Sequence, residues 1–275
     1  MEVVFSENDL EILIATQDRI NLDFLIQMFP FKHFSNFNIL IINQSKLNVL
    51  TSDFCKVRVI NSIETGLSKS RNLAINNAVK KICLIADDDV VYFLNFEKDI
   101  IDSFNNFHKA ALLTFNHQRI GWTKPQNSSI NKYNHSLKSI EKVCSIEIAF
   151  QLKVIKENNI YFDENFGLGS YFETAEEYLF MREVVKLKLI TLFCPFIIVS
   201  HPLLSSGVNQ GSDKILFARA ALFYKTKVNL VYIWLPKYIF FLIRKNYISW
   251  NEFFKKFKIG LSGIQKYKEL VKLNK

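Results

Sequence analysis

Along the first part of the chain, apolar residues come in short unbroken runs closed by polar ones, and between the runs they recur at helical spacing. Glu11 to Thr16, Asn38 to Ile42 and Lys56 to Ile60 read as strands, with a helix from Asn21 to Met28 that Pro30 ends. Ser68 reads as the N-cap of a helix reaching about Lys80, with Leu73, Ala74, Ala78 and Val79 as its apolar face. Ile82-Cys83-Leu84-Ile85-Ala86 is apolar throughout, as a strand buried on both faces must be. Phe96 to Phe107 has helical spacing, and Ala110 to Phe115 reads as a further strand.

The second half continues the alternation less regularly. Gln118 to Ser139 is polar, carries Gly121 and Pro125, and reads as a long loop of the kind compact domains keep for function. Val143 to Phe150 reads as a strand and Gln151 to Asn158 as a short helix. Phe166-Gly167-Leu168-Gly169-Ser170 reads as a glycine-bearing loop, Thr174 to Lys188 as a helix, and Pro195 to Ser200 as a strand that ends at His201. Strands alternating with helices predict an α/β fold, a mostly parallel sheet flanked by helices. The expected organisation is a domain over 1–212 and a basic, aromatic-rich helical region over 213–275.

Composition narrows the picture. Hydrophobic residues make up 49% of 275 positions, enough for a large core, so disorder is not expected. The 26 Phe, with many Ile, Asn and Lys, fit an AT-rich genome and are given no functional weight. Cys55, Cys83, Cys144 and Cys194 form no CxxC pair and suit reduced thiols in a cytosolic protein. The N-terminus shows no basic segment followed by an apolar one, so no signal peptide is expected. The longest apolar stretch, Val228 to Ile243, is interrupted at Pro236-Lys237 and falls short of the ~20 residues of a spanning helix.

Charge is unevenly spread. Residues 225–275 hold twelve Lys and Arg against two Glu, while the whole chain is +9, so the body is close to neutral. A neutral body argues against nucleic-acid binding. Aromatics among lysines, as in Trp250 to Lys258 (WNEFFKKFK), suit a segment lying on a membrane surface. An ordinary helical pair with its lysines in water is the alternative.

The chemistry concentrates at Asp87, Asp88 and Asp89, directly after the buried strand. Ligands in open α/β sheets bind outside such strand ends, and three adjacent carboxylates repel one another unless a cation neutralises them. Asp87-x-Asp89 has the spacing for Mg²⁺ or Mn²⁺, which take carboxylates together with phosphate oxygens. Arg71 stands near the presumed helix start, where it could reach an aspartate or a nucleotide.

In order along the chain stand GLSKSRNLAI, CLIADDDVVY, FDENFGLGSYFETAEEYLFMR and IIVSHP. This succession resembles glycosyltransferase family 2 of the GT-A (Rossmann-like) fold, of the bacterial surface-polysaccharide type, over about residues 8–210. The resemblance implies an inverting, metal-dependent transfer from a nucleotide-sugar donor to a glycan or lipid-linked acceptor. It implies that Asp87 faces the ribose or donor sugar, with Asp88 beside it, and that Asp89 holds Mn²⁺ or Mg²⁺. Arg71 would lie near the nucleobase, Thr16 would help form the base pocket, and His201 would complete the metal site with Asp87 and Asp89. Glu177 would be the base, with Glu176 next in line.

Two departures stand out. Asn43-Gln44-Ser45 replaces the family's Asp-rich turn, leaving the Gln44 amide to meet a nucleobase. Glu176-Glu177 replaces the more usual Glu-Asp. Thr174 to Glu177 also reads as a T-x-x-E capping box. The expected setting is cytoplasmic, at the inner face of the inner membrane, with no nucleic-acid partner. The competing readings are a non-catalytic, membrane-associated nucleotide- or glycan-binding protein of the same fold and, further off, a sugar nucleotidyltransferase. The latter should carry a Gly-rich loop where Thr16-Gln17-Asp18-Arg19 stands.

Overall fold

A computed structural model describes residues 4–119, 129, 131–201 and 210–273. The chain forms two compact units, one of Met1–Asp163 with Glu177–Leu203 and one of Glu164–Glu176 with Leu204–Lys275. The first unit holds β1 (Leu10–Gln17), α1 (Asp23–Met28), β2 (Ile39–Gln44), β3 (Val57–Ser62), α2 (Leu67–Asn77), β4 (Ile82–Asp87), β5 (Val91–Tyr92) and α3 (Phe96–Asn106). It continues through β6 (Leu112–Arg119), β7 (Tyr133–Asn134), β8 (Ile148–Gln151), α4 (Leu152–Glu157), α5 (Glu176–Lys186) and β9 (Thr191–His201).

The sheet order is β3-β2-β1-β4-β8-β6-β9-β5, with β7 paired to β9. The β1, β2, β3 and β4 ladders are parallel, as is β6 with β9, while β8 runs antiparallel between β4 and β6. Successive side chains of a strand point to opposite faces, and both faces here are covered. Ile12, Ile14, Ile39, Ile41, Ile82 and Leu84 enter one core with α1 and α3, and Leu13, Leu40, Ile42, Cys83 and Ile85 enter another with α2 and α5. That is why these strands read as unbroken apolar runs.

One acid breaks the run. Glu11 is buried on β1, where its carboxylate accepts from Arg58 Nη2 at 2.6 Å and from the Val79 and Lys80 amides at 2.8 and 3.2 Å. Those amides follow the end of α2, so the acid ties that helix to the sheet, with its lone pairs satisfied as burial demands.

Several expected boundaries move, β6 running on to Arg119 and β9 starting back at Thr191 among them. The cap of α2 is Gly66 at φ 120°, a conformation open to glycine, and Ser68 lies buried inside the first turn. The strand expected over Val143 to Phe150 is reduced to Ile148–Gln151, because the preceding residues turn into two short 3-10 segments. α5 begins at Glu176, after Ala175 at φ 67°, so Thr174 stands two residues ahead of the helix.

The second unit contains α6 (Asp213–Lys227), α7 (Val231–Arg244) and α8 (Phe253–Leu273) around Leu216, Ala220, Val231, Leu235, Ile239, Leu242 and Ile264. Phe166 and Phe172 of the 164–176 segment are buried beside Phe217 and Tyr267, which makes that segment part of this unit. α7 runs straight through Pro236, so the break in the apolar stretch is not there. The backbone turns instead where the stretch begins, at Val228, at φ 43°, between α6 and α7. Lys256 of the WNEFFKKFK motif is buried, its ammonium 2.6 Å from both the Gly211 carbonyl and Asp213 Oδ1, while Lys255 and Lys258 stay exposed.

α6 and α8 pack closely at Gly263, where a Cβ would drive into the Phe217 backbone carbonyl. Gly263→Ala should therefore cost about 2 kcal/mol, the scale of core overpacking. Gly260→Ala, whose Cβ meets the Leu235 side chain and not backbone at its nearest contacts, should cost less. Chemical denaturation of the two variants measures the difference.

Candidate active site

The parallel register brings the carboxyl ends of four strands level. Ala15 lies beside Asp87, Thr16 beside Asn43, and Asn43 beside Asn61. At the other flank, Arg119 lies beside His201. The polar residues that close the apolar runs thus share one sheet edge, where α/β folds bind ligands.

The three aspartates have different partners. Asp87 Oδ1 accepts from Arg71 Nη2 at 2.9 Å, and Arg71, only 3% exposed, also donates to Ser145 Oγ at 2.8 Å. Asp88 Oδ2 accepts from Arg19 Nε and Nη2 at 3.0 and 2.7 Å and from the Thr16 hydroxyl. Asp89 is the exposed member, and its Oδ1 lies 3.5 Å from His201 Nε2. Burial raises the Asp89 carboxyl above its ordinary range and the Asp87 and Asp88 charges add to this, while His201 opposes them. Tyr92, buried below, is also pushed up, first by burial and then by Asp87.

The structure thus brings together Thr16, Arg71, Asp87, Asp88, Asp89 and His201. Gln44 ends β2, with its amide nitrogen given to the Glu64 and Gly66 carbonyls at 2.8 and 3.0 Å. That amide holds the turn into α2 and has only its oxygen left for a ligand. Glu176 is buried at the start of α5, and Glu177 follows half-buried. Burial pushes the Cys144 thiol up, and the Glu147, Glu177 and Asp87 carboxylates add to the shift, so Glu177 and Asp87 act on the same thiol. Pro202 and Ser205 to Gly207, and residues 120–128 and 130 of the expected 118–139 loop, lie outside the described residues, while Gln118 and Arg119 belong to β6 and Tyr133–Asn134 to β7.

Arg19 was not among the sequence candidates. It follows Asp18, whose φ of 54° turns the chain back over the sheet edge. The Arg19 amide donates to Asn43 Oδ1 at 3.0 Å and Asn43 Nδ2 returns a bond to the Arg19 carbonyl at 3.1 Å, which fixes the loop. A cation just past a strand end, level with the aspartates of the neighbouring strand, was the available signal.

A buried His–Glu pair lies behind Arg71. His117 Nδ1 donates to Glu147 Oε1 at 2.9 Å, and Glu147 Oε2 accepts from the Cys144 amide at 2.9 Å. The pair shapes the turn that presents Ser145 to Arg71. His117, Cys144 and Glu147 place donor atoms within 4.8 Å of one another, though the carboxylate is already hydrogen-bonded on both oxygens.

Whether the aspartate edge suits a divalent cation turns on its donors. Asp87 has one oxygen beyond its arginine bond, Asp89 is open, and His201 adds an imidazole. Oxygen donors with one imidazole fit Mg²⁺ or Mn²⁺.

A cavity of about 370 Å³ that reaches Glu147 is lined by Thr114, Tyr133, His135, Lys138, Lys142 and Phe193, among others. Both His135 nitrogens are engaged there, Nε2 with Thr114 Oγ1 at 2.7 Å and Nδ1 with Ser139 Oγ at 3.1 Å.

Two measurements test these arrangements. Glu147→Ala leaves the His117 and Cys144 donors without an acceptor, at roughly 1–3 kcal/mol each. A loss of about 3 kcal/mol is expected by denaturant titration. Burial lowers His135 to about 4 from an ordinary 6.5. Between those values the unfolded chain holds the extra proton, so stability is intact above pH 6.5 and falls as pH drops toward 4. His135→Gln should remove that part of the acid sensitivity, seen as a smaller change in Tm between pH 7 and pH 5.

No protein-family profile matches the chain, and no curated protein does. Solved structures do. S. aureus TarS matches with a TM-score of 0.54 and 16% identity over 88% of this chain and 44% of that one, so the chain spans under half its length. TarS 1-349 in complex with UDP matches at 0.54 and with UDP-GlcNAc at 0.55, each 14% identical over 97% of this chain and 92% of that chain. The mixed α/β architecture is thus one these structures share.

Proposed function

We propose that this chain is a metal-dependent, inverting glycosyltransferase of the GT-A type. It moves one sugar from a nucleotide-sugar donor to a glycan or lipid-linked acceptor in bacterial surface-polysaccharide synthesis. The observation that carries the reading is the sheet edge itself, with two aspartates each tied to an arginine and a third facing a histidine. The fold shared with structures that hold UDP and UDP-GlcNAc supports a uridine diphosphate sugar as donor. Free cysteines, two of them buried, suit a cytoplasmic setting, which we place at the inner face of the inner membrane.

In this reading Thr16, Arg71, Asp87 and Asp88 form the donor site, with Arg71 holding Asp87 in place. The Gln44 oxygen is the one group of that amide left for a nucleobase. Asp89, Asp87 and His201 would hold Mn²⁺ or Mg²⁺. The bound ion would neutralise charge on the leaving diphosphate. Glu177, partly exposed where Glu176 is buried, takes the acceptor hydroxyl proton from about 3 Å or through one water. The acceptor oxygen bonds to the anomeric carbon from the face opposite the diphosphate, the bond from that carbon to the diphosphate oxygen breaks, and the configuration inverts.

A thermal-shift series with UDP and UDP-GlcNAc, with and without Mn²⁺, tests the reading, since a ligand bound only by the folded state raises Tm. Stabilisation by UDP should require Mn²⁺ and disappear in Asp89→Ala. Glu177→Gln should keep that stabilisation and lose transfer by ~10²–10⁴-fold, the usual weight of a general base. No response to any nucleotide, or donor turnover unchanged in Glu177→Gln, would overturn it.

A further inference from the structure

The second unit leaves part of its apolar surface uncovered. On α7, Val231, Leu235, Ile239 and Leu242 face its core, while Ile233, Lys237, Phe240, Phe241 and Arg244 form an exposed stripe one helical face wide. At the end of that stripe Trp250 meets Phe240 edge-on at 5.6 Å. Phe240 lies 5.2 Å from Phe253, and Phe253 lies 5.5 Å from Phe254. Trp250 is 68% and Phe254 77% exposed. Touching rings of this size, with Phe240, Trp250 and Phe254 exposed and Phe253 half-buried beneath them, mark a binding surface more than scattered apolar residues would.

Cations share its elements. Lys237, Arg244, Lys245, Lys255 and Lys258 are exposed on α7, the turn after it and α8, Lys255 with its ammonium 3.3 Å from Asp213 Oδ2. Of the two acids in 225–275, Glu252 is bonded to the Ser249 hydroxyl and amide, and Glu269 stands on the later part of α8, some four turns beyond Phe254.

We infer that the Phe240–Trp250–Phe253–Phe254 cluster is a docking surface for an anionic lipid bilayer. Tryptophan and phenylalanine enter the headgroup region while the exposed lysines and arginine meet acidic lipid. The complementary charge selects this occupant over a second copy of the chain, which would bring the same cations against themselves. The mode is interfacial. Asp213–Arg244 is by length and composition a 32-residue apolar segment. It is divided at Val228 into helices of 15 and 14 residues, and a span needs ~20. This deepens the membrane placement proposed above and does not depend on the transfer chemistry.

The test is co-sedimentation of the full chain with phosphatidylcholine vesicles, with and without phosphatidylglycerol. Binding should require phosphatidylglycerol and weaken with salt. It should fall at least tenfold in the W250S/F254S double variant and in K237E/K258E, both exposed substitutions that leave Tm and the nucleotide response of wild type. Equal binding by wild type and W250S/F254S, or no vesicle binding at all, overturns the inference and leaves the donor reading standing. Concentration-dependent self-association abolished by W250S/F254S, without vesicle binding, would assign the surface to a second copy instead.

Discussion

Three consecutive carboxylates at the end of one buried strand set the terms for much of the first unit. Like charges so close raise each other's cost of ionisation, and the fold answers with three different partners. Arg71 reaches Asp87 from α2, Arg19 reaches Asp88 from the turn after β1, and His201 faces Asp89 from the end of β9. Each partner comes from a separate element, so the edge exists only when α2, β1, β4 and β9 are all in place. Arg71 depends in turn on Ser145, and the turn bearing Ser145 depends on the buried His117–Glu147 pair.

The division of labour among the aspartates follows from this. Arginine offers a fixed fork of donors, so the Asp87 and Asp88 carboxylates are held in place. Asp89 has only an imidazole at 3.5 Å and a carboxyl that burial and its neighbours push upward. It is the member whose charge most needs another cation, and it is also the most exposed of the three.

What could be read from the sequence was what local pattern determines. The apolar strands β1, β2 and β4 announced themselves because both their faces are buried, and the aspartates because they close the most apolar of these runs. Arg71 and His201 were legible through their place in an ordered set of motifs. Arg19 and the His117–Glu147 pair were not, because their meaning comes from strands that are neighbours in space and distant in sequence. Ser68 looked like a cap because cap preference is a local average, whereas Gly66 alone fits a φ of 120°. A strand was legible near β8, but not its antiparallel direction or its short span, since strand direction is set by pairing in space and not by local pattern.

The basic tail shows the same limit from another side. Counting charges from Lys225 onward treats every lysine alike, yet Lys256 is an internal partner of Asp213 and pulls that acid below its usual range. Lys255 shares that acid, and of the remaining cations five, Lys237, Arg244, Lys245, Lys255 and Lys258, stand exposed near the aromatic rings. Pro236, which breaks the apolar run on paper, sits inside a continuous helix, and the interruption of the longer Asp213–Arg244 segment is a backbone turn at a residue of no special appearance, Val228. The apolar length that composition attributes to one segment is therefore shared between two helices whose inner faces are occupied with each other and with α8. What remains for an outside partner is only the outward stripe of α7 and the corner beyond it, and that is where the exposed aromatic rings gather.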